Sequence, residues 1–234
     1  MAENIRAVIF DLDDTLFDRN AAQIRVVELI MKRFSQIFQG LDTERVVAAF
    51  LESDRLSAGD FYAGEPSDGL RERRFKSFLQ LLGINENYAN AITEMYVRDY
   101  PMINIPISGA VPVVKELSTR FVIGVVSDGL PDVQYRKLDA IGLSGIFSCI
   151  VLSEEIGIRK PDPKIFQYAA DTLQVQPIEC LYVGDSHRND IVGAKTAGMK
   201  ACWYNCKSSA PENTEIKADF IITSIRELTR ILEK

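Results

Sequence analysis

The 234-residue chain has one histidine and only four cysteines, at positions 149, 180, 202 and 206. A zinc site is therefore poorly supplied: Cys202 and Cys206 have no further partners at ligand spacing, and a lone histidine adds little. The cysteines also fail to form a disulfide framework, and Cys149 and Cys180, set in apolar runs, read as buried thiols. There is no run of lysines or arginines and the net charge is −6. That excludes the electrostatic footprint of a nucleic-acid partner, while leaving room for a small anion held by a few local cations. No apolar stretch near the N-terminus is long enough for a signal peptide or a membrane span, so a reduced cytoplasm and no membrane partner are expected. Internal repeats and low-complexity tracts are missing too.

What is present is ordinary globular chemistry, 47% hydrophobic and 26% charged residues, enough for one or two domains. Short apolar runs at 7–10, 121–126, 150–152, 181–183 and 220–222 read as buried strands, with a weaker candidate at 200–204. Helix patterns fall between them at 110–117, 132–141, 164–173, 190–197 and 224–232. Apolar strands alternating with helices predict an α/β fold, a parallel sheet covered on both faces. Ligands in such sheets bind beyond the carboxyl ends of the strands, so the residues after each strand are where chemistry is sought.

One interval breaks the rhythm. About ninety residues separate the first strand from the helix at 110, far beyond the usual connection of about 2–6 residues. Ile24, Val27, Met31, Phe34 and Phe38 follow helical spacing, as do Phe75, Phe78, Leu79 and Leu82, and 43–51 and 87–96 look like two further helices. Residues 56–69 read as a turn-rich break. The expected organisation is a core of residues 1–17 and 102–234 with a helical bundle, 18–101, inserted into it.

Four strand ends carry polar residues. The first gives D-L-D-D-T, where Asp11 and Asp13, two apart in extended chain, address one side while Leu12 turns away. A calcium loop is a poor alternative, since the D-x-D-x-D-G spacing and the glutamate at its twelfth position are missing. A polar turn and a catalytic or metal-binding pair both remain open for it. The second gives S-D-G, in which Ser127, Asp128 and Gly129 read either as a cap and turn or as a hydroxyl and backbone N–H groups for an anionic oxygen. In R-K-P-D-P-K, Lys160 is either a surface lysine or a cation stiffened by Pro161 and Pro163. Lastly, G-D-S-H-R-N-D offers Asp185 and Asp190, as turn and first-turn acids or as carboxylates converging on a cation, with Gly184 permitting the turn. His187 reads as an exposed loop residue. Taken together, the four ends supply a nucleophile, an acid/base, a hydroxyl, a cation and further carboxylates. These are the requirements of Mg²⁺-assisted phosphoryl transfer, and an all-oxygen donor set suits Mg²⁺.

In this order, D-L-D-D-T, S-D-G, K-P-D-P and G-D-S-H-R-N-D resemble the four motifs of the haloacid dehalogenase superfamily, and the inserted helices resemble its C1-type cap. The resemblance implies a Rossmann-like three-layer core with a helical cap. It implies that Asp11 is the nucleophile taking the phosphoryl group as an aspartyl-phosphate, and that Asp13 is the acid and base. Ser127 would bind the phosphoryl oxygens, with Asp128 and Gly129 beside it, and Lys160 would hold the nucleophile. The metal would rest on Asp11, the Asp13 carbonyl, Asp185 and, in the inner or outer sphere, Asp190. Dehalogenases of the superfamily lack the second aspartate; this chain has Asp13, which favours phosphoryl chemistry. The expected activity is hydrolysis of small phosphomonoesters, that is a sugar phosphate, a phosphoglycolate-like acid or a nucleoside monophosphate. A phosphosugar mutase and a non-catalytic phosphoryl-ligand binding module are the alternatives. Residues Asp60, Phe61 and Tyr62 stand where C1 caps carry a substrate-selecting loop. Asp14 is expected to point away or brace the turn, and Asp18 to lead into the cap.

Overall fold

The computed structural model describes residues 4–62, 69–212 and 215–233, with the side chains of 60–62 left aside. The expected substrate-selecting side chains of Asp60, Phe61 and Tyr62 thus lie outside the described residues. The chain divides into two compact units, Met1–Arg19 with Asn104–Lys234, and Asn20–Ile103.

The first unit begins with β1 (Ala7–Phe10), whose four residues are all fully buried. Burial on both faces explains why this strand is continuously apolar rather than alternating. The second unit follows: α1 (Arg19–Arg33), which starts at the boundary, α2 (Thr43–Tyr62), α3 (Leu70–Leu82) and α4 (Ala89–Asp99). The chain then returns through α5 (Ala110–Leu117), β2 (Val122–Ser127), α6 (Pro131–Ala140), β3 (Cys149–Leu152), α7 (Ser153–Ile156) and α8 (Pro163–Thr172). Strand β4 (Cys180–Gly184), a π-helical turn His187–Val192, α9 (Gly193–Thr196), β5 (Lys200–Tyr204), β6 (Phe220–Ile222) and α10 (Glu227–Leu232) complete it.

All five strand pairings are parallel, in the order β3-β2-β1-β4-β5-β6. The fold is Rossmann-like, a parallel sheet flanked by helices. Helices α8 and α9 pack together, and the strand order with the right-handed crossover rule puts them on one face and α5 and α6 on the other. Phe166 of α8 meets Tyr182 of β4 edge to face at 4.8 Å, both fully buried. Strand order reverses between β1 and β4, so the carboxyl ends of β1, β2 and β4 surround the sheet's switch point.

The helical unit is built on an aromatic cluster. Phe50, Phe75, Phe78 and Tyr96 meet at 5.2–6.2 Å, and the guanidinium of Arg74 lies 4.5 Å from the centre of the Tyr96 ring. Two readings of the helices need correction. Residues 63–68 lie outside the described ones, and the turn-rich break expected at 56–69 does not hold for its first part, because α2 continues to Tyr62. Its buried stripe, Val46, Phe50, Ser53 and Ser57, runs on through the expected boundary, and tertiary burial overrides the roughly 1 kcal/mol cost of Gly59. In α1 the buried positions are Ala22, Gln23, Val26, Val27 and Ile30, and the helix stops before Phe34 and Phe38. A small and a polar residue on the inner face concealed the true stripe. Among the described residues no helix is long and apolar enough to cross a membrane.

Candidate active site

Asp11 directly follows β1, its backbone N–H donating to the Val183 carbonyl at 2.9 Å, so β1 and β4 jointly fix where its side chain starts. Asp11 is 4% exposed, and its carboxylate accepts from Lys160 Nζ at 2.6 Å. The same ammonium donates to Asp190 Oδ1 at 2.7 Å. Asp190 is held in turn by the Ser186 N–H on Oδ2 at 2.9 Å and by the Tyr182 hydroxyl on Oδ1 at 3.2 Å. The Lys160 backbone N–H donates to Asp128 Oδ1 at 3.2 Å, tying the loops after β2 and β3 together.

One ammonium stands among three carboxylates. Oxygens of Asp11, Asp185 and Asp190 lie within 4.8 Å of one another. Burial lifts the Asp11 carboxyl well above the usual range; Lys160 opposes this, and Asp190 and Asp185 push it up further. Asp185 is pushed up to about 7 by burial, by Asp190 and by Asp14. Burial works against the charge on Lys160, but Asp11 and Asp190 outweigh it and hold its pKa well above the ordinary lysine value. The negative charge is under-compensated, and the all-oxygen donor set fits a hard cation.

Asp13 faces other partners. Lys137 Nζ donates to its Oδ1 at 2.6 Å and Gln134 Nε2 to its Oδ2 at 3.0 Å, both from α6. Burial opposes ionisation here, yet Lys137 and Arg19 prevail and hold the carboxyl below the usual range. Gln134 Nε2 also donates to Ser127 Oγ at 2.8 Å. Leu12 is fully buried, as its alternation with the two acids requires.

Asp14 takes a left-handed conformation, φ 60°, and its N–H donates to the Phe17 carbonyl, so its backbone braces the turn. Its carboxylate pairs with Lys207 at 3.6 Å and adds to the charge felt by Asp185. His187, expected on an exposed loop, is 5% exposed. The π-helical turn folds its ring inward, edge to face with Trp203 at 4.9 Å, with Nε2 3.1 Å from the Ile216 carbonyl. Gly184 has a different reason from the expected tight turn. It ends a strand, and a Cβ there would collide with the Asp190 carboxyl. Gly129 is similar: a Cβ would come within 2.6 Å of Gln134 Nε2.

Four neighbours of the site escape a reading by strand ends: Gln134, Lys137, Tyr182 and Trp203. Gln134 and Lys137 left one trace, two polar residues buried on the same α6 face as Val133 and Leu138. Tyr182 and Trp203 resemble core aromatics, and only their hydrogen bonds to Asp190 and to the Asp185 carbonyl mark them.

A Rossmann-like sheet that gathers carboxylates and a buried lysine at its switch point defines an α/β enzyme site. The sequence profile of the haloacid dehalogenase-like hydrolases matches residues 5–198, and the chain belongs to that family. It is 30% identical to a glyceraldehyde 3-phosphate phosphatase of Methanopyrus kandleri, across 98% of both chains. To the pyrimidine 5'-nucleotidase YjjG of Escherichia coli it is 32% identical, across 97% of both. Among solved structures it is similar to the putative HAD-hydrolase YfnB of Bacillus subtilis, described as bound to magnesium. That likeness has a TM-score of 0.84 and 27% identity, and covers 99% of this chain and 100% of the other.

Proposed function

We propose that this chain is a Mg²⁺-dependent phosphatase that hydrolyses small phosphomonoesters through an aspartyl-phosphate on Asp11. The observation that carries the reading is the division of labour between two carboxylates two residues apart. Asp11 is clamped by Lys160 next to Asp185 and Asp190, whereas Asp13 is oriented separately by α6. Relatives named as phosphatases and as a nucleotidase support the same chemistry.

In the first half-reaction an Asp11 carboxylate oxygen attacks phosphorus and the ester P–O bond breaks. The departing oxygen takes a proton from Asp13 and leaves as the alcohol. Asp13 is ionised in the free protein. It takes up a proton from solvent as the anionic phosphoryl group arrives beside it and raises its proton affinity, and it returns that proton to solvent when phosphate leaves. In the second half, water gives a proton back to Asp13 and attacks phosphorus. The P–O bond to Asp11 then breaks, inorganic phosphate leaves, and both aspartates are restored. Ser127, with the backbone of Asp128 and Gly129, holds the phosphoryl oxygens, and Lys160 keeps Asp11 in place while offsetting charge. Asp11, the Asp13 carbonyl, Asp185 and Asp190 are assigned to Mg²⁺, which when bound neutralises charge on the transferring oxygens. The helical unit Asn20–Ile103 is assigned the part of a substrate-selecting cap.

A phosphate-release screen over sugar phosphates, phosphorylated short acids and nucleoside monophosphates, with Mg²⁺ and with excess chelator, tests this. Release from a subset of small esters, lost in chelator, is expected. Isomerised sugar phosphate without free phosphate would replace the hydrolase reading with a mutase, and binding without turnover would replace it with a binding module.

A further inference from the structure

Gln134 is 1% exposed and sits beneath the site on α6. A carboxylate only accepts hydrogen bonds, so the amide nitrogen, not the oxygen, must face Asp13 Oδ2 at 3.0 Å. The NH₂ group has two hydrogens, and its other short contact is Ser127 Oγ at 2.8 Å. A third, to the Asp128 carbonyl, is long at 3.5 Å. Ser127 Oγ is therefore the acceptor in its bond with Gln134, and its own hydrogen has to point elsewhere. Were the amide reversed, Ser127 would spend that hydrogen on Gln134 and turn lone pairs toward an anionic ligand.

Lys137 lies one turn further along, at i+3 and so on the same helix face. It is 3% exposed and donates to the other Asp13 oxygen, Oδ1, at 2.6 Å, with its Nζ 5.0 Å from the centre of the Phe17 ring. Each oxygen of Asp13 thus carries one donor from a single helix, and a carboxyl held at two points cannot rotate about its terminal bond. The strand preceding this helix ends in Ser127. The element that delivers the hydroxyl therefore also fixes the acid.

We infer that Gln134 and Lys137 are positioning residues for the reaction. Gln134 makes the Ser127 hydroxyl a donor to the phosphoryl oxygens. Together the two hold the Asp13 carboxyl in the plane from which it passes its proton to the leaving oxygen. Both act through Asp13 and Ser127 rather than on the substrate itself. The inference rests on the phosphatase reading above and adds how its acid and its hydroxyl are aligned.

The test uses the dependence on leaving group. An alkyl phosphate leaves as a strongly basic alkoxide and needs a well-aimed proton; p-nitrophenyl phosphate leaves as a stable anion and hardly needs one. Loss of alignment therefore lowers kcat/KM for the alkyl ester by about 100-fold and for the aryl ester by less than about 10-fold. We expect this in Lys137→Met and in Gln134→Asn, which keeps the amide but shortens its reach. Lys137→Arg should recover most of the activity. Gln134→Asn should also raise KM for both esters, because Ser127 is no longer held as a donor. In an Asp13→Asn background Lys137→Met should cost nothing further on the aryl ester, and Gln134→Asn should keep only its rise in KM. Melting curves identify any variant that has simply unfolded; Lys137→Gln or Gln134→Met, with the same expected loss, then carries the test at that position. Equal losses on both esters in folded variants, or no loss, would overturn the inference. If wild-type protein releases phosphate from neither ester, the phosphatase reading itself falls, and the inference with it.

Discussion

The indole N–H of Trp203, on β5, donates to the backbone carbonyl of Asp185 at 2.8 Å. Trp203 is paired with Gly184 in the sheet and is 4% exposed, so a rigid strand fixes the loop that presents a proposed metal ligand. It is also the chain's one tryptophan. Its fluorescence should change on titration with Mg²⁺. Trp203→Phe, which keeps the ring and loses the donor, should weaken Mg²⁺ binding by about 10-fold, measured by calorimetry. Unchanged affinity would remove Trp203 from the account.

Asp11→Asn should abolish turnover, by at least about 1,000-fold, and leave the protein folded. Burial already pushes Asp11 toward its neutral form, and Lys160 keeps Asp190 as a partner. The melting temperature should therefore shift by only a few degrees. Turnover of p-nitrophenyl phosphate near the wild-type rate would exclude Asp11 as nucleophile.

The raised Asp185 carboxyl makes metal-free stability depend on pH. Its affinity for protons is higher folded than unfolded, so its contribution is fully present below about 3.8 and is lost as pH rises through about 7. Asp11, raised for the same first reason, acts in the same direction. A bound cation replaces those protons. The gain in melting temperature on adding Mg²⁺ should accordingly be small at pH 5.5 and large at pH 8. A gain that is flat across this range would contradict the linkage.

Gly184→Ala should damage the site from beneath, because the added Cβ meets the Asp190 carboxyl, which Lys160, Tyr182 and Ser186 hold in place. We expect a stability loss of about 1–3 kcal/mol in urea unfolding. Mg²⁺ affinity should fall alongside it, although the side chain added is the smallest possible.

Arg74 is the buried cation of the helical unit, 2.9 Å from Asp54 and stacked over Phe50, Phe75 and Tyr96. Removing it leaves Asp54 largely buried without that ion pair, so Arg74→Ala should cost about 3–5 kcal/mol. Arg74→Lys should recover only part, because an ammonium keeps the charge but not the planar stack. Chemical denaturation of the full chain compares the two.

Three of the four motifs were legible in the sequence because they stand at fixed places, each just past an apolar run that the sheet buries on both sides, whereas Lys160 comes beyond β3 and α7. Asp11, Ser127 and Asp185 follow from that rule, and the sheet's order turns three distant segments into neighbours at one switch point. The inserted helices were legible as a region, but their limits were not. Periodicity counts apolar residues, while α1 buries Gln23 and α2 carries its stripe through Ser53 and Ser57. His187 was misread for a related reason, since a polar residue in a glycine-led loop gives no sign of a π-helical turn that folds it under Trp203.

The sequence by itself determined which polar groups follow the strands and the order of the chain's parts. Side-chain type and strand alternation are local properties, and they suffice to put Asp11 and Asp13 on one side of Leu12. Only the tertiary structure decided how those aspartates differ. Lys160 and Lys137 approach them from 149 and 124 residues away, through a parallel sheet whose partners no local pattern reveals. A carboxylate's role depends on the charge and burial around it, and here the charges come from more than a hundred residues along the chain.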